Sequence, residues 1–154
     1  MRNTIAITAA ALVSFGIAGI GPAAAYHLEP LNTSFVGTGS TSATKNGVTL
    51  KCKATFHGHV DGAGVGWVDD GSFKGDVGCT TVGLGGLPWK SVAKGAAKVN
   101  ILNVSFTSPI GNCGPGTVPV KVVDGVIKFT DKPLAGGCTV SGKVTTNPSL
   151  SIVP

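Results

Sequence analysis

The residues best equipped for chemistry sit in one stretch, Val48–Val60, which reads V-T-L-K-C-K-A-T-F-H-G-H-V. His57 and His59 stand at i and i+2, so on an extended strand they point the same way and could share a metal ion. His27 and Asp61 are the candidates for a third ligand. Lys51 and Lys53 lie on that same face and would repel a cation, which favours two solvated histidines over a metal centre. Asp69-Asp70 has the composition of an acid/base pair, but adjacent strand residues face opposite ways, and Gly71 signals a bulge or an interruption. No serine sits in a G-x-S-x-G elbow, and Gly83-x-Gly85-Gly86 lacks the lysine and the strand-to-helix context of a phosphate loop. Charged residues make up 12% of the chain, too few for a pocket of tuned acids and bases. The expectation is a protein that is not an enzyme and carries no cofactor.

Two other residue types matter. Trp67 and Trp89 ordinarily pack on the core of a small β domain; exposed, either would offer an apolar contact to a hydrophobic ligand or a neighbouring subunit. Cys52, Cys79, Cys113 and Cys138 lack the close C-x-x-C spacing of a zinc site, so they read as two disulfides. Four cysteines allow three pairings. Similar spacings, each centred on a turn signal, favour Cys52–Cys79 with Cys113–Cys138, without deciding among the three. Each closed loop would stabilise by about 3 kcal/mol in the chain-entropy model.

The elements that hold these residues read as strands. In Val48–Val60 the apolar or small residues Val48, Leu50, Cys52, Ala54, Phe56, Gly58 and Val60 alternate with polar ones, giving one buried and one wet face. Asn46-Gly47 launches this strand, and Asp61-Gly62-Ala63-Gly64 turns it into Val65–Val77, where Trp67, Phe73, Val77 and Cys79 share a parity. Val99–Phe106 follows, with Leu102, Val104 and Phe106 on one face, and Ser108–Gly116 reads as a loop. Asp124-Gly125 is the pair a two-residue type I′ turn requires, and it predicts a hairpin over Val118–Thr130 with Val118, Val120, Val122, Ile127 and Phe129 on one face. Pro119 has no N–H to donate, so this strand lies at an edge or pairs on one side there. Cys138, Val140, Gly142 and Val144 alternate inward, and Leu150 and Ile152 form a last short strand.

Ahead of the strands, Arg2, an apolar run from Ile5 to Ile20 and Gly21-Pro22-Ala23-Ala24-Ala25 make a signal peptide cut after Ala25. The run is too short for a membrane span, and no cysteine follows the cut to take a lipid anchor. Residues 26–46 read as a flexible lead-in or edge strand, with a short strand at Leu31–Gly37, and residues 47–154 as one all-β domain. The formal net charge is +5 and Arg2 is the only arginine, which argues against nucleic acid as a partner. Short strands with Gly-rich turns predict a single-domain antiparallel β-sandwich with two disulfides, a small closed β-barrel being the alternative. Too few aromatic residues are present to form the girdles of a membrane barrel.

The order of landmarks resembles a known family. Cys52 with Phe56-x-Gly58, Phe73-x-Gly75 with Cys79, Leu87-Pro88-Trp89, Asn103-Val104-x-Phe106, Cys113-Gly114-Pro115 and Cys138-Thr139-Val140 occur in the sequence of the protein activators of alkane oxidation, the PraA/PraB-like exported proteins of Gram-negative bacteria. The resemblance spans Val48 to Leu150. It implies a non-enzymatic accessory protein, secreted or at the cell surface, that promotes growth on alkanes through contact with a hydrocarbon interface or the cell envelope. No catalytic residues carry over; the cysteines and Leu87-Pro88-Trp89 transfer as structural landmarks. A mean hydropathy of +0.34 accords with that role. Two other readings compete with it. One is a self-associating surface adhesin or matrix filament that donates Leu31–Lys45 to the sheet edge of the next copy. The other is a periplasmic binder of metal or a small ligand through His57 and His59.

Overall fold

The computed structural model describes residues 25–154; the expected signal peptide lies outside the described residues except for Ala25. Eleven strands and one short 3-10 turn account for the secondary structure described. They are β1 (His27–Glu29), β2 (Thr33–Lys45), β3 (Val48–Val60), β4 (Gly66–Gly75), the turn Cys79–Thr81, β5 (Gly83–Gly85), β6 (Trp89–Gly95), β7 (Lys98–Ser108), β8 (Gly111–Val123), β9 (Val126–Leu134), β10 (Cys138–Asn147) and β11 (Ser151–Val153).

Eight strands follow one another around a ring, β2-β3-β4-β6-β7-β8-β9-β10, each antiparallel to the next, with β5 added beside β7. Tight hairpins set this order. Asn46-Gly47 and Asp124-Gly125 both hold positive φ at their two central positions, the geometry that matches strand twist in a two-residue turn. Strands joined this way are neighbours in space, so the only long edges left to satisfy are those of β2 and β10. They pair with each other, from Cys138 opposite Lys45 to Asn147 opposite Val36. The all-β class, the antiparallel pairing and the two disulfides are as expected. Of the two architectures, the chain adopts the closed barrel rather than the sandwich.

Closure depends on a segment that the sequence leaves silent. Residues 26–46 are neither a flexible lead-in nor an edge strand: β2 runs the full length of the wall and pairs on both sides, with β3 and with β10. Its buried positions are Phe35 and Gly37, followed by half-buried Gly39, Thr41 and Ala43, so apolar alternation is absent although the strand is long. At Gly37 a side chain has no room, because Val144 Cγ1 of neighbouring β10 would stand 2.9 Å from an added Cβ.

Bulges decide which residues face inward. Opposite His57 and Gly58, β4 presents Asp70 and Val68, so Asp69 is an extra residue and the parity of β4 flips. Trp67 consequently faces out while Phe73 faces in, against their shared parity in the sequence; Phe73 meets Phe56 edge-on at 5.7 Å. Val77 is fully exposed. In β7 an irregularity between Ile101 and Val104, with Asn103 at φ 62, directs Ile101 inward in place of Leu102. The expected loop 108–116 is mostly strand, since β8 begins at Gly111 and pairs Cys113 with Phe106. The 118–130 hairpin, its inward face and the inward set on β10 hold as read.

The barrel has two unlike ends. At one, β1 and β11 form a ribbon, with Leu28 opposite Ile152, and buried Leu28 and Leu150 plug the opening. Gly125 N–H donates to the Leu150 carbonyl at 3.0 Å, fastening the plug to the β8–β9 turn. The other end carries both disulfides.

Candidate functional site

Each inward face contributes to one internal cavity of about 150 Å³ that runs through the barrel. Eight strands enclose just enough room for side chains to fill or for one small guest. Here they do not fill it. Phe35, Phe56, Trp89, Val104, Phe129 and Val144 are among its walls, and no charged side chain, histidine or carboxamide lines it.

The cavity exists because the large side chains lie along the wall rather than across the lumen. Phe35 is paired with Gly58, Phe56 with Gly71 and Phe129 with Gly142 on adjacent strands. A Cβ built on these glycines would stand 2.6 Å from Phe35 Cζ, 2.9 Å from Phe56 Cδ1 and 2.5 Å from Phe129 Cζ. Each ring therefore covers the backbone of a cross-strand glycine, an arrangement that shields the glycine and leaves the axis open.

Two of the polar groups inside are already engaged. The Trp89 indole N–H donates to the Gly85 carbonyl at 2.7 Å. Thr146 Oγ1 donates to the Gly125 carbonyl and accepts from Leu150 N–H, both at 3.0 Å. Among the described residues no buried side-chain nitrogen or oxygen lacks a partner. A guest inside this lumen would meet mainly dispersion contacts, with the Ser42 and Ser91 side chains also on the wall.

The titratable residues singled out by the sequence lie on the outside. His57 and His59 share the outer face of β3, and His59 Nδ1 meets Asp69 Oδ2 at 2.7 Å, a contact created by the bulge. Among the described residues no three His, Cys, Asp or Glu side chains converge as metal ligands. His27 is instead 3.4 Å from Glu29. Asp61 organises the β3–β4 turn. Its Oδ1 accepts from Ala63 and Val65 N–H at 2.9 and 3.0 Å, and its Oδ2 accepts from the Trp67 indole at 3.1 Å. The Trp67 bond first, then the Val65 bond, holds the Asp61 carboxyl below the usual carboxylate range. Trp67 is thus half-buried on the outer wall, with Lys90 Nζ 6.0 Å from its ring centre. The two tryptophans part company: Trp89 belongs to the lumen and Trp67 to the exterior.

The disulfides pair Cys52 with Cys79 and Cys113 with Cys138. Each stands beside a lapse in the wall. Strands β8 and β9 pair only at Lys121–Lys128, Val122–Ile127 and Val123–Val126. The next backbone link is Gly114 N–H to the Ala135 carbonyl at 2.8 Å, next to Cys113–Cys138. Pro119 sits in this gap and pairs with Asn100 on its other side alone, which agrees with its missing N–H. Likewise β4 pairs with β6 only over Gly66–Val68, and beyond it the Cys79 turn and β5 take up the space.

These features define a closed up-and-down β-barrel with an apolar lumen, stapled at one end and plugged at the other. Across residues 1–154 the chain matches the family model described as alkane oxidation protein activator PraA/PraB-like, and it belongs to that family. No curated protein and no solved structure matches it. Among the described residues no helix is long and apolar enough to cross a membrane.

Proposed function

We propose that this protein is an exported, non-enzymatic accessory of hydrocarbon use that works at the cell surface or outside the cell, and that its working part is the barrel lumen. Family membership over the whole chain carries the reading. Two disulfides accord with an oxidising compartment, periplasmic or extracellular. The non-enzymatic reading is supported by the separation of the titratable groups, which stand on the outer wall, from the apolar interior. The outer surface offers Leu31, Val36, Val48, Val77 and Val123 as exposed apolar residues on different strands and loops. Single residues of this kind are ordinary on a protein surface. The lumen is the better means of meeting a hydrocarbon.

The filament reading is weaker than this one. A donated strand needs an open sheet edge, whereas residues 36–45 are paired along both sides within their own barrel. Growth of a deletion strain on a long-chain alkane and on succinate tests the proposal. A defect confined to alkane, restored by adding purified protein outside the cell, is expected; equal growth on both overturns it.

A further inference from the structure

We infer that the lumen binds one unsubstituted alkyl segment of about six carbon atoms and discriminates against the carboxylate of the same length. The inference rests on the functional reading above and adds the ligand, its size and its selectivity. Size follows from volume: an apolar cavity of about 150 Å³ stays dry and accepts a benzene-sized guest, and the lumen measures about 150 Å³. Selectivity follows from the lining. The walls carry no cationic side chain to neutralise a carboxylate. The Trp89 indole N–H and the Thr146 hydroxyl are committed to Gly85, Gly125 and Leu150 backbone groups. A carboxylate taken inside would give up its water bonds and find no cation in replacement. A barrel built this way takes up the hydrocarbon and releases the acid that its terminal oxidation yields. In a reaction sequence it therefore belongs before the oxygen-inserting step, presenting hydrocarbon rather than collecting acid.

The test uses the purified, disulfide-bonded protein with pentane, hexane, heptane, octane and hexanoate as probes, read by methyl NMR. Saturable shifts are expected on the lumen methyls of Val104 and Val144 and not on exposed Val48, Val77 and Val123. Affinity should rise about fourfold per methylene up to the length that fills the cavity, then level off. Hexanoate should give no saturable lumen shift. Val144→Phe, which fills the cavity, should abolish the shifts at Val104; should that variant not fold, the shift map of the unaltered protein decides alone. Hexanoate binding as tightly as hexane, or shifts confined to the exposed valines, would overturn the inference. Either result could coexist with an alkane-specific growth defect, so failure here is separable from failure of the accessory role.

Discussion

The ring of Phe129 covers the backbone of Gly142, its cross-strand partner: a Cβ at position 142 would stand 2.5 Å from Cζ and 2.9 Å from Cε1. The three atoms nearest that added carbon all belong to the same ring, so the clash is chiefly with one side chain. Gly142→Ala should cost about 1–3 kcal/mol, as overpacking does. In a Phe129→Leu background the same change should cost much less, a coupling that a double-mutant cycle in denaturant would measure. Additive costs would show that the ring does not occupy that position.

Gly58 makes the instructive contrast. An added Cβ there meets the Trp67 carbonyl as well as the Phe35 ring. Gly58→Ala should therefore remain destabilising in a Phe35→Leu background, because a backbone atom cannot move aside. Full rescue by Phe35→Leu would contradict the close strand approach at this point.

The β8–β9 seam predicts where the barrel opens first. Backbone pairing lapses between Lys121–Lys128 and the Gly114–Ala135 bond, and Cys113–Cys138 spans the loose end. Replacing both cysteines with serine should cost about 3 kcal/mol. It should also speed amide exchange selectively in residues 111–120 and 129–136. The equivalent change at Cys52 and Cys79 should leave those segments protected. Uniform loss of protection in the first variant would mean that the seam is not a separate opening unit.

Asp61 gives the fold a dependence on acid. Its carboxyl is held low by the Trp67 indole, then by the Val65 amide. A carboxylate with a depressed folded pKa contributes stability that is fully present above its unfolded value, near 3.8, and is lost as pH falls through the lower folded value. The Trp67 indole proton resonance should move as Asp61 titrates, at a pH below the ordinary aspartate range. Asp61→Asn should remove that titration, and an indole signal that titrates unchanged in the variant would exclude this pairing.

How much of this was legible in the sequence depended on whether the signal was local. The β3 boundaries, both two-residue turns and the one-sided pairing at Pro119 follow from residue types at fixed positions. The bulge at Asp69-Asp70-Gly71 was readable too, but its consequence, Trp67 outside and Phe73 inside, needed the register with β3. Strand β2 has no apolar alternation because its inward positions are Gly37, Gly39 and Thr41, with Val144 of neighbouring β10 taking the space beside Gly37. Closure, and the lumen with it, depends on β2 meeting β10, a pairing between residues about a hundred positions apart in sequence that no local pattern encodes.

The central claim is that the lumen, rather than the outer surface, serves hydrocarbon use. The most direct measurement adds purified protein to a deletion strain growing on a long-chain alkane, comparing the unaltered chain with folded Val144→Phe. Restoration by the first and not by the second is the predicted result. Equal restoration by both would contradict the claim and return attention to the outer face of the barrel.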